Sequence, residues 1–293
     1  MRQGRSPERS GLRTTIGILR QDKAALVGGV GVLVYCVVAA IGPVVVHLRA
    51  AVSSGAVYLP PSLRYPLGTD SLGQGVLTEL IIGTRPIMEV GVTAAFMVVS
   101  VGVIVGLFAG YEGGWVDSVL MRMTDIALTI PSLPLIIVVA AVVHTSSPFA
   151  LAAILSLTGW AGLARNVRSL ALSLRTSDFV EVCRVQGLPR GNVLFRQLLP
   201  NIGPYVAVNF LLSVTGAIYA EVGLFVLGIA PISGTNWGIM LNLALSSGAL
   251  YTSRSVAYLL SPMVAIVLLQ VCLVFASRIV DMVFNPRLRV PVG

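Results

Sequence analysis

Long charge-free apolar runs alternate along this chain with short polar or basic segments. A bilayer-spanning helix needs about 20 mostly apolar residues. Residues 24–46 form the first such run, 23 residues without a charge. The run is too long for a signal-peptide core and no A-x-A site follows closely, so it reads as a retained first span. Residues 90–111 predict a second span. Residues 126–164 are charge-free, but the polar residues and Pro148 in 144–149 divide them. They predict spans at about 126–143 and 149–165, joined by a short outer turn. A fifth span is expected over 197–220, where Pro200 suits a helix's first turn. A sixth is expected over 256–276. Residues 222–253 carry no charge, yet Gly, Pro, Ser, Thr and Asn interrupt them. They read as a re-entrant or outer-surface segment, tolerated at membrane depth only where protein buries the backbone.

Charge orients these spans. With the N-terminus inside, sixteen of the 20 basic residues fall on inner segments, and Arg49, Arg64, Arg85 and Arg254 fall outside. That bias matches the excess of basic residues in cytoplasmic loops. A seventh span at 222–245 would carry Arg278, Arg287 and Arg289 outside, so six spans with both termini cytoplasmic are expected. The organisation is then a cytoplasmic arm (1–23), a first transmembrane helix (24–47) and an extracytoplasmic loop (48–85). A core of five transmembrane helices (86–281) follows, with a basic loop at 176–200, and a cytoplasmic tail (282–293) ends the chain.

Composition agrees. The chain is 56% hydrophobic and 11% charged, with mean hydropathy +0.89, whereas an ordinary soluble domain carries roughly a quarter charged residues. A soluble fold of this length could not hide so much apolar surface. The net charge of +8 comes almost wholly from arginines beside apolar runs, which fits lipid and orientation better than nucleic acid. Cys36 and Cys272 lie in apolar runs and Cys183 in the basic loop, with no C-x-x-C pair. His47 and His144 sit at the edges of apolar stretches and read as interfacial, so no metal site is expected.

The basic loop has its own pattern. Asp178 and Glu181 resemble a capping box, opening a short helix that runs to about Gln186. Phe179, Val182 and Cys183 then share one face. Gly187 suits a left-handed C-cap and Pro189 stops the helix. A second short helix is expected from about Asn192 to Leu199. The segment is either a knuckle that a soluble partner grips or a plain cytoplasmic linker with orienting charges.

Elsewhere, Glu221 ends a charge-free run and reads either as a pathway carboxylate or as a wet group at the outer end of its span. Trp160 and Asn209, inside spans four and five, are further pathway candidates, with packing the alternative for Trp160. Asp125 is expected to pair with Arg122, and Arg85 with Glu89 to cap the second span. Trp115 and Trp237 read as interfacial aromatics. Asp70 reads as a turn former or as a receptor for an outer partner.

A family resemblance enters at Glu181. The stretch E-V-C-x-x-x-G…L-P over 181–200 resembles the E-A-A-x-x-x-G loop of permease subunits of binding-protein-dependent ABC importers. Glu181, Gly187, Leu199 and Pro200 match in register, and Val182 and Cys183 depart from the two alanines. YPLGTDSLGQGVLTELIIGTR, at 65–85, resembles H-P-L-G-T-D-x-x-G-R-D-V-L-S-R-L-I-Y-G-A-R of the C-type subunit of the peptide and nickel permeases; Gln74 and Gly75 replace its Arg-Asp pair. The segments 109–135, 220–241 and 281–289 are similar to further blocks of that family, in order. The resemblance implies an all-α, type I ABC importer permease fold of six transmembrane helices with a cytoplasmic coupling helix, in the cytoplasmic membrane. It implies a coupling loop of Asp178, Phe179, Glu181, Val182, Cys183, Gly187, Leu199 and Pro200. It also implies a second homologous permease, one or two ATP-binding subunits holding ATP and Mg, and an extracytoplasmic peptide-binding protein. This chain has one lysine, Lys23, and no G-x-x-x-x-G-K-[ST] loop, so it is expected to bind no cofactor and to be no enzyme itself. Rival readings are import of nickel or another small solute, a secondary transporter, and an intramembrane enzyme, for which neither H-E-x-x-H nor G-x-S-x-G is present.

Overall fold

The computed structural model describes residues 22–46, 57–231, 234–249 and 256–284. The expectations for His47, Arg49, Arg254, Arg287, Arg289 and most of both terminal arms lie outside them. Every named element among the described residues is a helix: α1 Lys23–Val45, α2 Val76–Glu112, α3 Gly114–Thr129, α4 Ser132–Val143, α5 Pro148–Arg175, α6 Asp178–Val185, α7 Arg190–Val226, α8 Trp237–Ser246 and α9 Val256–Phe284. Five of them are long and apolar enough to cross a membrane, and α3 with α4 has the length and apolarity of a sixth, as a broken span or a re-entrant loop.

Asp22 opens α1, its carboxylate accepting from the amides of Ala24 and Ala25 at 2.9 and 3.2 Å. The helix α2 has 37 residues, about 55 Å at 1.5 Å per residue, far beyond the roughly 30 Å of bilayer hydrocarbon. It starts at Val76, well ahead of the charge-free run. Arg85 and Glu89 therefore cap nothing. Both lie exposed inside the helix, with Pro86 between them. The helix runs through these charges and through Gly83 and Pro86, its buried face packed on the bundle, whereas a charge-free criterion sees only its apolar half.

Glycines set the closest seam. Gly102, Gly106 and Gly110 recur every four residues on α2 and face α5. A Cβ at each would stand 2.9, 2.5 and 2.6 Å from Trp160 O, Ala164 O and Ala171 Cβ respectively. Small residues at this spacing let membrane helices approach backbone to backbone.

The third span differs from the single helix expected over 126–143. The axes of α3 and α4 meet at 83°, with Ile130 extended ahead of Pro131, as a residue before proline prefers. His144 turns left-handed (φ 41°) and Pro148 takes the first turn of α5. The separate helix expected over 192–199 is also absent. Residues 190–226 run continuously, through a π turn at Val193–Leu198. Pro200 has no N–H to offer the Arg196 carbonyl; it stands in the first turn of the regular α-helical stretch Leu199–Val226, as expected, with the π turn directly ahead of it.

Past α7, Gly228 (φ 70°) turns the chain towards α8, a helix of 10 residues too short to cross a bilayer. Its Trp237, expected at an interface, is only 1% exposed. The indole Nε1 donates to Leu80 O at 3.0 Å and the ring meets Tyr35 edge-on at 5.9 Å, because α8 folds back between α2, α7 and α9. Trp115 is exposed.

Candidate functional site

Two surfaces carry the candidate residues: the knuckle at α6 and the seam between α5 and α7. Ser177, and not Asp178, is the N-cap of α6, and no side chain caps the helix. The capping box is not formed. Asp178 and Glu181 instead lie in the first turn, where carboxylates complement the helix dipole. At the other end the expected left-handed cap is present: Gly187 has φ 70°. Its amide donates to Arg184 O and that of Leu188 to Cys183 O, at 3.0 and 3.1 Å, the paired bonds of a Schellman motif. A Cβ at Gly187 would meet nothing within 4 Å, so only the backbone conformation requires glycine.

The face of α6 also divides differently from the expectation. Val180 and Cys183 are buried, packed with Val193, Leu194 and Leu198 against the bundle. Phe179 and Val182 point away, and Val185, missed from the sequence, joins them at 84% exposure. Cys183 belongs to the inner set, because three- and four-residue steps on so short a helix place it beneath Val180. Leu199 is half-buried and Pro200 exposed, on the α7 side of the knuckle.

Ion pairs tie this knuckle to the spans. Arg190 of α7 pairs with Glu112 at the end of α2, at 3.2 Å, and the Arg184 guanidinium lies 5.3 Å from the Tyr111 ring centroid. Arg168 of α5 grips Asp117 of α3 through Nε and Nη2 at 2.5 and 2.6 Å. Asp125, expected to pair with Arg122, instead accepts from Arg165 Nη2 at 2.6 Å, because α5 brings a guanidinium across from a neighbouring helix.

Between α3, α4, α5 and α7 runs a groove of 570 Å³. Its walls are small or neutral and include Ser132, Thr158, Gly159, Gly162, Ser213 and Gly216. Trp160 and Asn209 are not among its lining residues. Trp160 Nε1 donates to Leu157 O and Asn209 Nδ2 to Tyr205 O, each at 2.9 Å within its own helix. The signal that would have found the wall of α7 is Ser213, Gly216, Ala217 and Ala220, small residues at one-face spacing.

Glu221 is fully buried, which removes the reading of a wet carboxylate at a helix end. Asn236, a residue sequence reasoning did not single out, donates Nδ2 to Glu221 Oε1 at 2.7 Å and accepts from Gly238 N at 2.8 Å. Both line a second cavity, of 180 Å³. Asp70 is the turn former: its Oδ1 accepts from the amides of Leu72 and Gln74 at 2.9 and 2.6 Å. Burial pushes its carboxyl above the ordinary value, opposed by those amides. No group of three or more His, Cys, Asp or Glu able to hold a metal occurs among the described residues.

A bundle of five to six apolar helices with a neutral groove, a basic end and an uncovered helical knuckle defines an integral membrane transport subunit. Residues 102–290 match the family described as binding-protein-dependent transport system inner membrane component, and the chain belongs to that family. Its fold is the type I ABC importer permease fold. The chain is 35% identical over 228 residues to the dipeptide transport system permease protein DppC of Bacillus subtilis, an alignment covering 76% of this chain and 70% of the relative. It is 34% identical over 182 residues to the oligopeptide transport system permease protein OppC of the same organism, covering 62% and 59%. It is 31% identical over 220 residues to OppC of Mycobacterium bovis, covering 74% and 76%.

Proposed function

We infer that the chain is one permease half of an ATP-driven importer that carries dipeptides or oligopeptides across the cytoplasmic membrane. The relatives named above are peptide permeases, and the neutral groove suits a substrate with varied side chains. A second permease of like fold closes the pathway, and an extracytoplasmic binding protein delivers the peptide. One or two partner subunits bind ATP and Mg. Both termini and α6 lie in the cytoplasm. In support, Arg165, Arg168, Arg175, Arg184, Arg190 and Arg196 crowd the α6 end.

The observation that carries this reading is the uncovered apolar face of α6: Phe179, Val182 and Val185, beside Glu181 and the Gly187 turn. That face seats in a groove on an ATP-binding subunit. Closure of the ATPase pair then moves α6; the Arg190–Glu112 pair and the Arg184–Tyr111 contact pass the motion to α2, and the Arg168–Asp117 pair makes α3 follow α5, as a rigid-body shift.

Co-purification with its genomic neighbours, followed by peptide-stimulated ATP hydrolysis, tests the reading. Stimulation in the wild type, lost in Glu181→Lys while the complex still assembles, is the expected result. A complex that responds to nickel or another small solute and ignores peptides would keep the permease and overturn the cargo. Absence of any ATPase partner would overturn the whole reading.

A further inference from the structure

The groove and the smaller cavity follow one another along the seam of α5 and α7. Leu155 and Ala217 line the groove. Leu151 and Glu221, one helical turn farther from α6 on each helix, line the cavity. Its 180 Å³ equals the liquid volume of about six waters, which is room for one end of a peptide and not for the whole. Among the described residues no arginine or lysine lines it, whereas Thr145, Ser146, Ser147 and Thr235 share its wall with Glu221 and Asn236. Asn236 occupies Glu221 Oε1, and Glu221 Oε2 is buried with no hydrogen-bond partner among the described residues. A buried carboxylate oxygen left unpaired is costly, so the wall offers an acceptor in want of a charged donor.

We propose that this cavity receives the free α-ammonium of the incoming peptide, with Glu221 Oε2 as its counter-ion and the surrounding hydroxyls as further acceptors. The rest of the peptide lies in the groove. A primary ammonium brings three N–H donors and a compact charge, matching one carboxylate oxygen among hydroxyls. The proposal rests on the peptide-import reading and adds the end of the substrate that the permease itself recognises.

The test uses the assembled importer and one tripeptide, supplied with a free or an acetylated N-terminus. ATP hydrolysis is measured against peptide concentration for the wild type and for Glu221→Gln, which keeps the side chain's shape. The substitution should raise the apparent KM for the free peptide about ten- to a hundredfold and leave the acetylated peptide's unchanged. Any N-terminal preference of the binding protein is common to both permeases and cancels. Equal weakening of both peptides would overturn the proposal and leave Glu221 as a packing residue. No change for either would overturn it too. A wild-type complex that responds to no peptide would instead sink the import reading. Should Glu221→Gln fail to assemble, Thr235→Ala must weaken the free peptide selectively, and failure to do so overturns the proposal.

Discussion

Arg168 holds Asp117 through two parallel hydrogen bonds, Nε to Oδ1 at 2.5 Å and Nη2 to Oδ2 at 2.6 Å. The pair fastens α5 to α3 just beyond the left-handed turn at Gly113 and Gly114, and it is more buried than the other ion pairs described. Lysine cannot reproduce a planar fork. Arg168→Lys should therefore lower the unfolding midpoint in detergent and weaken ATPase coupling, at a cost of about 1–2 kcal/mol. Arg165→Lys, at the exposed pair with Asp125, should change neither. Identical behaviour of the two variants would remove Arg168 from the transmission route.

Gly187 offers a cleaner separation of conformation from contact. Its φ of 70° is strained for a β-branched side chain, while open space surrounds its Cα. Gly187→Val should cost roughly 1–2 kcal/mol at the turn and cut transport with its coupled ATP hydrolysis. Gly187→Asn, which tolerates the left-handed region, should retain most of both. Transport assays on vesicles containing each variant decide it. Full activity of the valine variant would dismiss the turn as a functional part.

Much of this was legible in the residues. The order of the apolar helices followed from charge-free length, and the Gly187 cap from the Gly-Leu-Pro sequence after a helical pattern. The failures have physical causes. Hydropathy started α2 only after its charges because a charge-free criterion cannot see that the helix already runs through Glu79, Arg85 and Glu89. Trp237 looked interfacial because composition does not reveal that α8 folds inward. Asp125 was assigned a neighbour in sequence, whereas its partner Arg165 comes from a helix packed alongside. Asn236 left no signal because its value lies in its contact with Glu221, fifteen residues away in the chain.

The glycines divide into those that permit packing and those that shape the groove. A Cβ at Gly106 would stand 2.5 Å from Ala164 O and 2.7 Å from Val167 Cβ, so Gly106→Val must push α2 off α5. A destabilisation of about 2–4 kcal/mol, read as poor yield and a lower unfolding midpoint, is expected from such overpacking of a rigid seam. Gly216 lines the groove and a Cβ there meets nothing within 4 Å. Gly216→Val should fold normally and narrow the groove, slowing bulky peptides more than small ones. Equal folding defects in the two variants would contradict the seam.

The two faces of α6 make opposite predictions for the same chemical change. Val182 is 53% exposed on the outward face, and Val180 is wholly buried beneath it. Val182→Asp places a charge in water in the isolated chain, so its unfolding midpoint should match the wild type. In the complex, the same carboxylate enters an apolar contact with the ATP-binding subunit, and association should weaken by about tenfold or more. Val180→Asp buries an unpaired charge among Val193, Leu194 and Leu198 and should destabilise the chain before any partner is added. Pull-down of the ATP-binding subunit, beside thermal unfolding of each variant alone, separates these effects. If Val182→Asp binds the ATPase as well as the wild type does, the outward face of α6 is not the docking surface, and coupling must run through the basic rim at Arg184 and Arg196.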